Sequence, residues 1–338
     1  MVRAETSITN TFTVPARPDL PGRAGARVCD STSMQHLKPL PERLVIGGFV
    51  GLEFAGMFSQ FGSQVTVVDR SDRLMRHQDA DVAAAVQTLL EEQGVETSMP
   101  ATVIFVHGLR TSATLWRHQE EHLGRLGIPT AAIDLPGHGS RLGERFFVHS
   151  SLEGIGDAVA AAEASHTKPY LVGFSLGGYL AIEWVARNPG RVAGLLAAAC
   201  ATVPHPVVMH GWRAISKVIG TFPDRGRALN DFTVRLFVPE PGATDVIAGG
   251  VALDVMDDVL LSLLELRPLE RLAEIDVPVL FVNGRFDHVR AHAGRYLAAT
   301  RNGRLITVPG ASHMVSVVRP HAFTDALLEG YRDATSAG

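Results

Sequence analysis

Gly173-Phe174-Ser175-Leu176-Gly177 is the pentapeptide of this chain with the most chemistry in it. It follows the apolar run Tyr170-Leu171-Val172 and precedes the helical run Gly178-Tyr179-Leu180-Ala181-Ile182-Glu183-Trp184. Strand, sharp turn and helix around G-x-S-x-G put a serine hydroxyl on a strained turn, where it can act as a nucleophile. The flanking glycines have a steric reason, because bulk beside the serine would collide with the neighbouring strand and helix. The helix start behind the serine favours the negative charge that develops during attack.

A serine hydroxyl needs a base, and the base needs an orienter. For a serine on such a turn the acid and then the histidine follow later in the chain. Asp287 stands just past the apolar run Val277–Gly284, and His313 just past Leu305–Gly310. Both would project from loops at the carboxyl ends of strands, where open α/β sheets place their sites. Asp287 is expected to hold His313, and His313 to take the Ser175 proton. His288, beside Asp287, reads as a loop residue, and His321 as a surface or interface histidine of the terminal helix. Asp276 precedes its strand and so falls at the wrong end of the sheet. The oxyanion needs two N–H donors. The amide of Leu176 is one candidate, and the amide of Leu109, after Val103–Gly108, is the other. His107 reads as a brace for that loop, and Asp134–Ser140 as a tight turn of architectural use.

These residues must be held by a scaffold, and from residue 101 the pattern supplies one. Apolar runs at Val103–Val106, Thr130–Ile133, Tyr170–Val172, Val192–Ala199, Val277–Val282 and Leu305–Val308 alternate with helical segments. That predicts an α/β fold, a mainly parallel sheet with helices on both faces. Residues 204–269 interrupt it with Trp212, Phe222, Phe232, Leu236, Phe237 and a leucine-rich run, and predict a helical cap insertion. The domain organisation expected is 1–98 and 99–338. The first forty residues, with Pro15, Pro18, Pro21 and Pro39, read as loop. After them Leu44–Ile46, a helix over Val50–Phe61 with Leu52, Ala55, Met57 and Phe58 on one face, Gln64–Val68, and a helix over Val82–Gln93 closed by Gly94 form a βαβ-like pattern.

Composition bounds the remainder. Of 338 residues, 46% are hydrophobic and 20% charged, with a formal net charge of −4. A sizeable core is available, and no basic stripe points to nucleic acid. Two cysteines, Cys29 and Cys200, form neither a disulfide framework nor a zinc pattern, so no metal is expected and a reducing cytoplasm is. No apolar stretch is long enough for a bilayer.

His107-Gly108, Asp134–Ser140, Gly173–Gly178, the Asn283–Asp287 run and Gly310-Ala311-Ser312-His313 together resemble the α/β-hydrolase superfamily, in its esterase, lipase and C–C hydrolase branch. The resemblance runs from about residue 101 to the end. It implies a serine hydrolase acting on a small apolar ester-like substrate by an acyl-enzyme route, without a cofactor. C–C, thioester or lactone hydrolysis and perhydrolysis are the alternatives on the same fold. Members begin with a β-hairpin that has no recognisable counterpart here. Residues of about 7–98, above all Pro41–Ala55, Val65–Asp69 and Leu89–Val95, resemble the NAD-binding region of flavoprotein pyridine nucleotide-disulfide oxidoreductases. That implies a partial Rossmann-like segment, and it makes an NAD-binding protein a rival reading. The fingerprint G-x-G-x-x-G is broken, with Gly48 and Gly51 in its last two positions and Ile46 in its first. The FAD domain and redox cysteine pair of that family are missing from the pattern. The N-terminal strands are candidates to stand in for the missing hairpin. A fusion whose hydrolase core fails to assemble is the non-enzymatic reading.

Overall fold

The computed structural model describes residues 29–69, 74, 75, 77–98, 100–164 and 168–335. Of the first forty residues, 1–28 lie outside them, and the remainder holds a short helix, Ser31–Met34, where the sequence predicts loop. The described residues gather into two compact units, one ending at Ser98 and one running from residue 100 onward.

The first unit is a small parallel sheet of three strands, β1 (Arg43–Gly47), β2 (Gln64–Val68) and β3 (Glu96–Ser98), in that order. Helices Phe49–Gln60 and Ala80–Glu92 make the two crossovers, so the pattern is one strand, β3, longer than the sequence predicts. The first helix buries Gly51, Ala55 and Phe58, which are spaced by four and three residues on one face. Met57 was expected on that face, but it points outward at 49% exposure, being about a quarter-turn from Phe58. Gly94 has a φ of 76° and ends the second helix in the left-handed conformation expected of it. The described strands of this unit form a sheet of their own.

The second unit is built on six strands, all parallel: β4 (Val103–Val106), β5 (Thr130–Ile133), β6 (Tyr170–Phe174), β7 (Gly194–Ala198), β8 (Val279–Gly284) and β9 (Gly303–Val308). Their order across the sheet is β5-β4-β6-β7-β8-β9. Every residue of β4, β6, β7 and β8 is buried, as strands covered on both faces must be. Alternation divides them between two cores. Ile104, Val106 and Leu171 pack on one face with Leu180, Trp184 and Phe281. Val103, Phe105, Tyr170 and Val172 pack on the other with Trp116, Phe323 and Tyr331.

The order reverses between β4 and β6, so the loops leaving these strands open a crevice at their carboxyl ends. Val106 is in register with Gly173, which sets the His107–Leu109 loop beside the turn at Ser175. Gly284 is in register with Val308, which sets the Asp287 loop beside the His313 loop.

Between β7 and β8 the chain makes helices Pro206–Ile219, Arg227–Phe237, Gly242–Ala248, Met256–Ser262 and Pro268–Ala273. The insertion is helical as expected, but its apolar residues divide. Val255, Val259, Leu260, Leu263 and Leu266 join the core, whereas Trp212, Ile215, Phe222, Phe232, Leu236 and Phe237 stay exposed. Among the described residues no helix is long and apolar enough to cross a membrane.

Candidate active site

Ser175 sits between the last residue of β6 and the helix Leu176–Arg187, which begins two residues earlier than the sequence pattern indicated. Its φ is 50° and ψ −114°, a conformation that costs a non-glycine residue about 1–3 kcal/mol. Its amide donates to the Ala198 carbonyl at the end of β7 (2.8 Å), which holds the turn against the neighbouring strand. The glycines act as the sequence suggested. A Cβ on Gly173 would run into the Gly177 carbonyl, and one on Gly177 into the carbonyl oxygens of Val106 and His107. The next glycine, Gly178, lies where a Cβ would come within 2.6 Å of the buried Cys200 Sγ.

Three side chains from the ends of β6, β8 and β9 meet here. His313 Nε2 lies 3.1 Å from Ser175 Oγ. His313 Nδ1 lies 2.9 Å from Asp287 Oδ1. Asp287 is 4% exposed, and the same oxygen also accepts the Val289 amide at 2.8 Å. The imidazole therefore spans hydroxyl and carboxylate, and the carboxylate is itself fixed by backbone. Phe174 flanks the His313 ring at 5.2 Å between centroids, and His288 at 5.1 Å. His288 is exposed and belongs to a 3-10 turn, and its ring lies tilted beside that of His313, which makes the bonds to Asp287 and Ser175. Partial desolvation of its ring, and then His313, lower its pKa. One ligand atom each from Asp287, His288 and His313 lies within 4.8 Å of the others, a spacing a metal ion would tolerate. Both His313 nitrogens already have hydrogen-bond partners, so the arrangement suits proton transfer better than ligation.

The other candidates fall where chain order put them. Asp276 pairs with Arg301 at the amino end of the sheet. His321 lies in the terminal helix Pro320–Thr335 with its ring 5.0 Å from that of His118. His107 is fully buried and braces its loop, with Nε2 accepting the Leu135 amide (3.0 Å) and Nδ1 bonded to the Gly108 carbonyl (2.8 Å). Asp134 accepts the amides of Ala113 (2.7 Å) and Ser140 (2.8 Å), and so ties two loops together. Partial burial alone would raise its pKa, but these two amides and the Ser140 hydroxyl outweigh that and bring it below the usual carboxylate range.

Leu176 opens its helix, so its amide has no intrahelical acceptor. The Gly108 carbonyl is held by Thr111 Oγ1 (2.9 Å), the Thr111 amide (3.3 Å) and His107. In a trans peptide the following N–H points the opposite way, so the Leu109 amide faces away from these partners. A Cβ on Gly108 would lie 3.2 Å from the Ser175 Cβ, which puts this peptide beside the nucleophile. Thr111 escaped the sequence reading, since nothing in its spacing marks a hydroxyl that locks a carbonyl.

A family model described as the alpha/beta hydrolase family matches residues 103–326. The chain belongs to this family. Solved structures of the same fold include the esterase EaEST from Exiguobacterium antarcticum (18% identity, TM-score 0.58, 69% of this chain and 92% of that one). The enol-lactonase from Burkholderia xenovorans LB400 is similar over 68% of this hydrolase and 91% of its own chain (16% identity, TM-score 0.56). NosK from Streptomyces actuosus matches over 70% and 99% (23% identity, TM-score 0.55). A second family model, for pyridine nucleotide-disulphide oxidoreductases, matches residues 10–123. Curated relatives of that part include a dihydrolipoyl dehydrogenase of Bacillus subtilis, 45% identical over 74 residues, which are 21% of this chain and 16% of that protein. A mercuric reductase of Bacillus cereus is 39% identical over 87 residues, 25% of this chain and 14% of that protein. The chain spans less than a quarter of the length of the curated relatives it matches.

Proposed function

We propose that this α/β hydrolase is a serine hydrolase that cleaves a carboxylic ester through an acyl-enzyme. The observation that carries the proposal is the His313 imidazole, hydrogen-bonded through one nitrogen to Ser175 and through the other to Asp287. In this reading Ser175 Oγ attacks the ester carbonyl carbon while its proton passes to His313 Nε2. The amides of Leu109 and Leu176 receive the oxyanion, the charge that preorganised donors stabilise most effectively. As the tetrahedral species collapses, the alkoxide leaves with the proton from His313. Water then loses a proton to His313, attacks the acyl carbon and releases the acid, and Ser175 recovers its proton. Asp287 keeps the ring oriented and offsets its positive charge without itself taking the proton.

The helical insertion over residues 204–269 is assigned to the cap that shapes the acyl and alcohol pockets. The same machinery would open a lactone or cleave a thioester or an activated C–C bond. A panel of these substrates, run beside simple esters, decides among them. The first unit is assigned a packing role in preference to dinucleotide binding. Ile46 occupies the first glycine position of the fingerprint, and its side chain fills the space a Cβ on Gly51 would take.

The test is labelling of Ser175 by a fluorophosphonate, together with turnover of p-nitrophenyl acetate and butyrate. Labelled wild-type protein and a silent Ser175→Ala variant support the reading. Turnover retained by that variant would defeat it.

A further inference from the structure

Arg110 has no task in the reaction described above, yet it is built into the same loop. It follows Leu109, so its Cα is two steps of about 3.8 Å from that of Gly108, the residue beside Ser175. Its φ of 66° is a left-handed backbone that arginine adopts only under constraint. From there its Nη2 donates to Oδ1 of Asn230, a buried residue of the insertion helix Arg227–Phe237. The side chain thus crosses from the loop at the nucleophile to the insertion.

What it meets there is a neutral amide. Its Nε is buried with no hydrogen-bond partner among the described residues. Burial pulls its pKa below the usual arginine value, and the Asp231 carboxylate bonds Nδ2 at the other end of the Asn230 amide (3.1 Å). Neighbouring arginines differ: Arg117 pairs with Asp245, Arg145 with Asp258 and Arg213 with Asp257. A guanidinium stays protonated, and a desolvated one without a counter-charge is costly to keep. A planar carboxylate is the group its fork of donors fits best.

We propose that Arg110 is a specificity-determining residue that receives a free carboxylate on the substrate, so that the enzyme favours acid-bearing esters or lactones over neutral ones. The assignment rests on the hydrolase reading and narrows it to substrates with an anionic end.

The experiment compares mono-4-nitrophenyl adipate with its neutral methyl ester, corrected for uncatalysed hydrolysis. In the wild type the ratio of kcat/KM, acid over neutral, should exceed about 10, the scale of a charge-assisted hydrogen bond. Arg110→Met should lower that ratio at least tenfold, and Arg110→Lys should keep part of it. A purely structural arginine would slow both esters together and leave the ratio alone, and that result overturns the proposal, as does a wild-type ratio near one. A second readout needs no turnover. Monomethyl adipate should raise the Tm of Ser175→Ala, and adding Arg110→Met should abolish the shift. An unchanged shift in the double variant also overturns it. Fluorophosphonate labelling of the wild type separates the two levels. Labelling without acid preference sinks the role of Arg110 alone, whereas no labelling sinks the serine reading.

Discussion

Asp287 Oδ1 accepts from His313 Nδ1 at 2.9 Å and from the Val289 amide at 2.8 Å, so one buried oxygen orients the imidazole while the backbone orients the oxygen. Asp287→Asn keeps the volume but offers His313 the wrong ring tautomer. It should lower kcat on p-nitrophenyl butyrate by about 10³- to 10⁴-fold. Circular dichroism and the urea midpoint should show an intact fold. A loss under tenfold would remove Asp287 from the mechanism.

The turn at Ser175 depends on the absence of side chains. Gly177→Ala would press a methyl group into the Val106 and His107 carbonyl oxygens. Both belong to the strand end that leads into the Leu109 loop, so the elbow and the proposed oxyanion site should shift together. We expect a loss of about 3 kcal/mol in urea unfolding, at the upper end of overpacking, and a large fall in kcat. An unchanged midpoint would contradict the crowding.

Most of this site was legible because motif and topology reinforce each other. G-x-S-x-G names a turn, and apolar runs ending in loops at Asp287 and His313 name the strand ends that face it. Other features left no trace in the pattern. Glu96–Ser98 is a strand of three polar residues, too short to alternate. Val315–Val318 is a helix written in β-branched residues that favour strands, held there because Val315 and Val317 are buried. Neither the left-handed backbone of Arg110 nor its contact with residue 230 can be seen in a linear spacing. The exposed apolar faces of the insertion could be counted in the sequence, but their solvent exposure could not.

Acid should destabilise the second unit through His107. Burial, and then His138, lower its pKa to about 3. The unfolded ring titrates near 6.5, so below that value the unfolded chain binds more protons and stability falls as pH drops toward 3. Burial lowers His138 in the same direction. A fully linked site contributes about 1.4 kcal/mol per pH unit. The physical cause is plain, since a protonated Nε2 cannot accept the Leu135 amide. Urea midpoints between pH 4 and 6.5 should therefore slope less steeply in His107→Gln than in the wild type, even though that variant starts lower at pH 7.5. Parallel slopes would contradict the assignment.

The first unit should not respond to NADH. Ile46 stands where the fingerprint needs glycine, and the chain spans less than a quarter of the length of the oxidoreductases it resembles there. Fluorescence titration should show no saturable binding in the micromolar range. Saturation there would restore a cofactor role to residues 29–98.

The most direct test of the account is active-site labelling with a fluorophosphonate, read by intact-mass and peptide mass spectrometry, beside p-nitrophenyl butyrate turnover. One adduct should form, on Ser175, with turnover lost in step with labelling and both absent in Ser175→Ala. An adduct elsewhere, or turnover that survives that substitution, would contradict it.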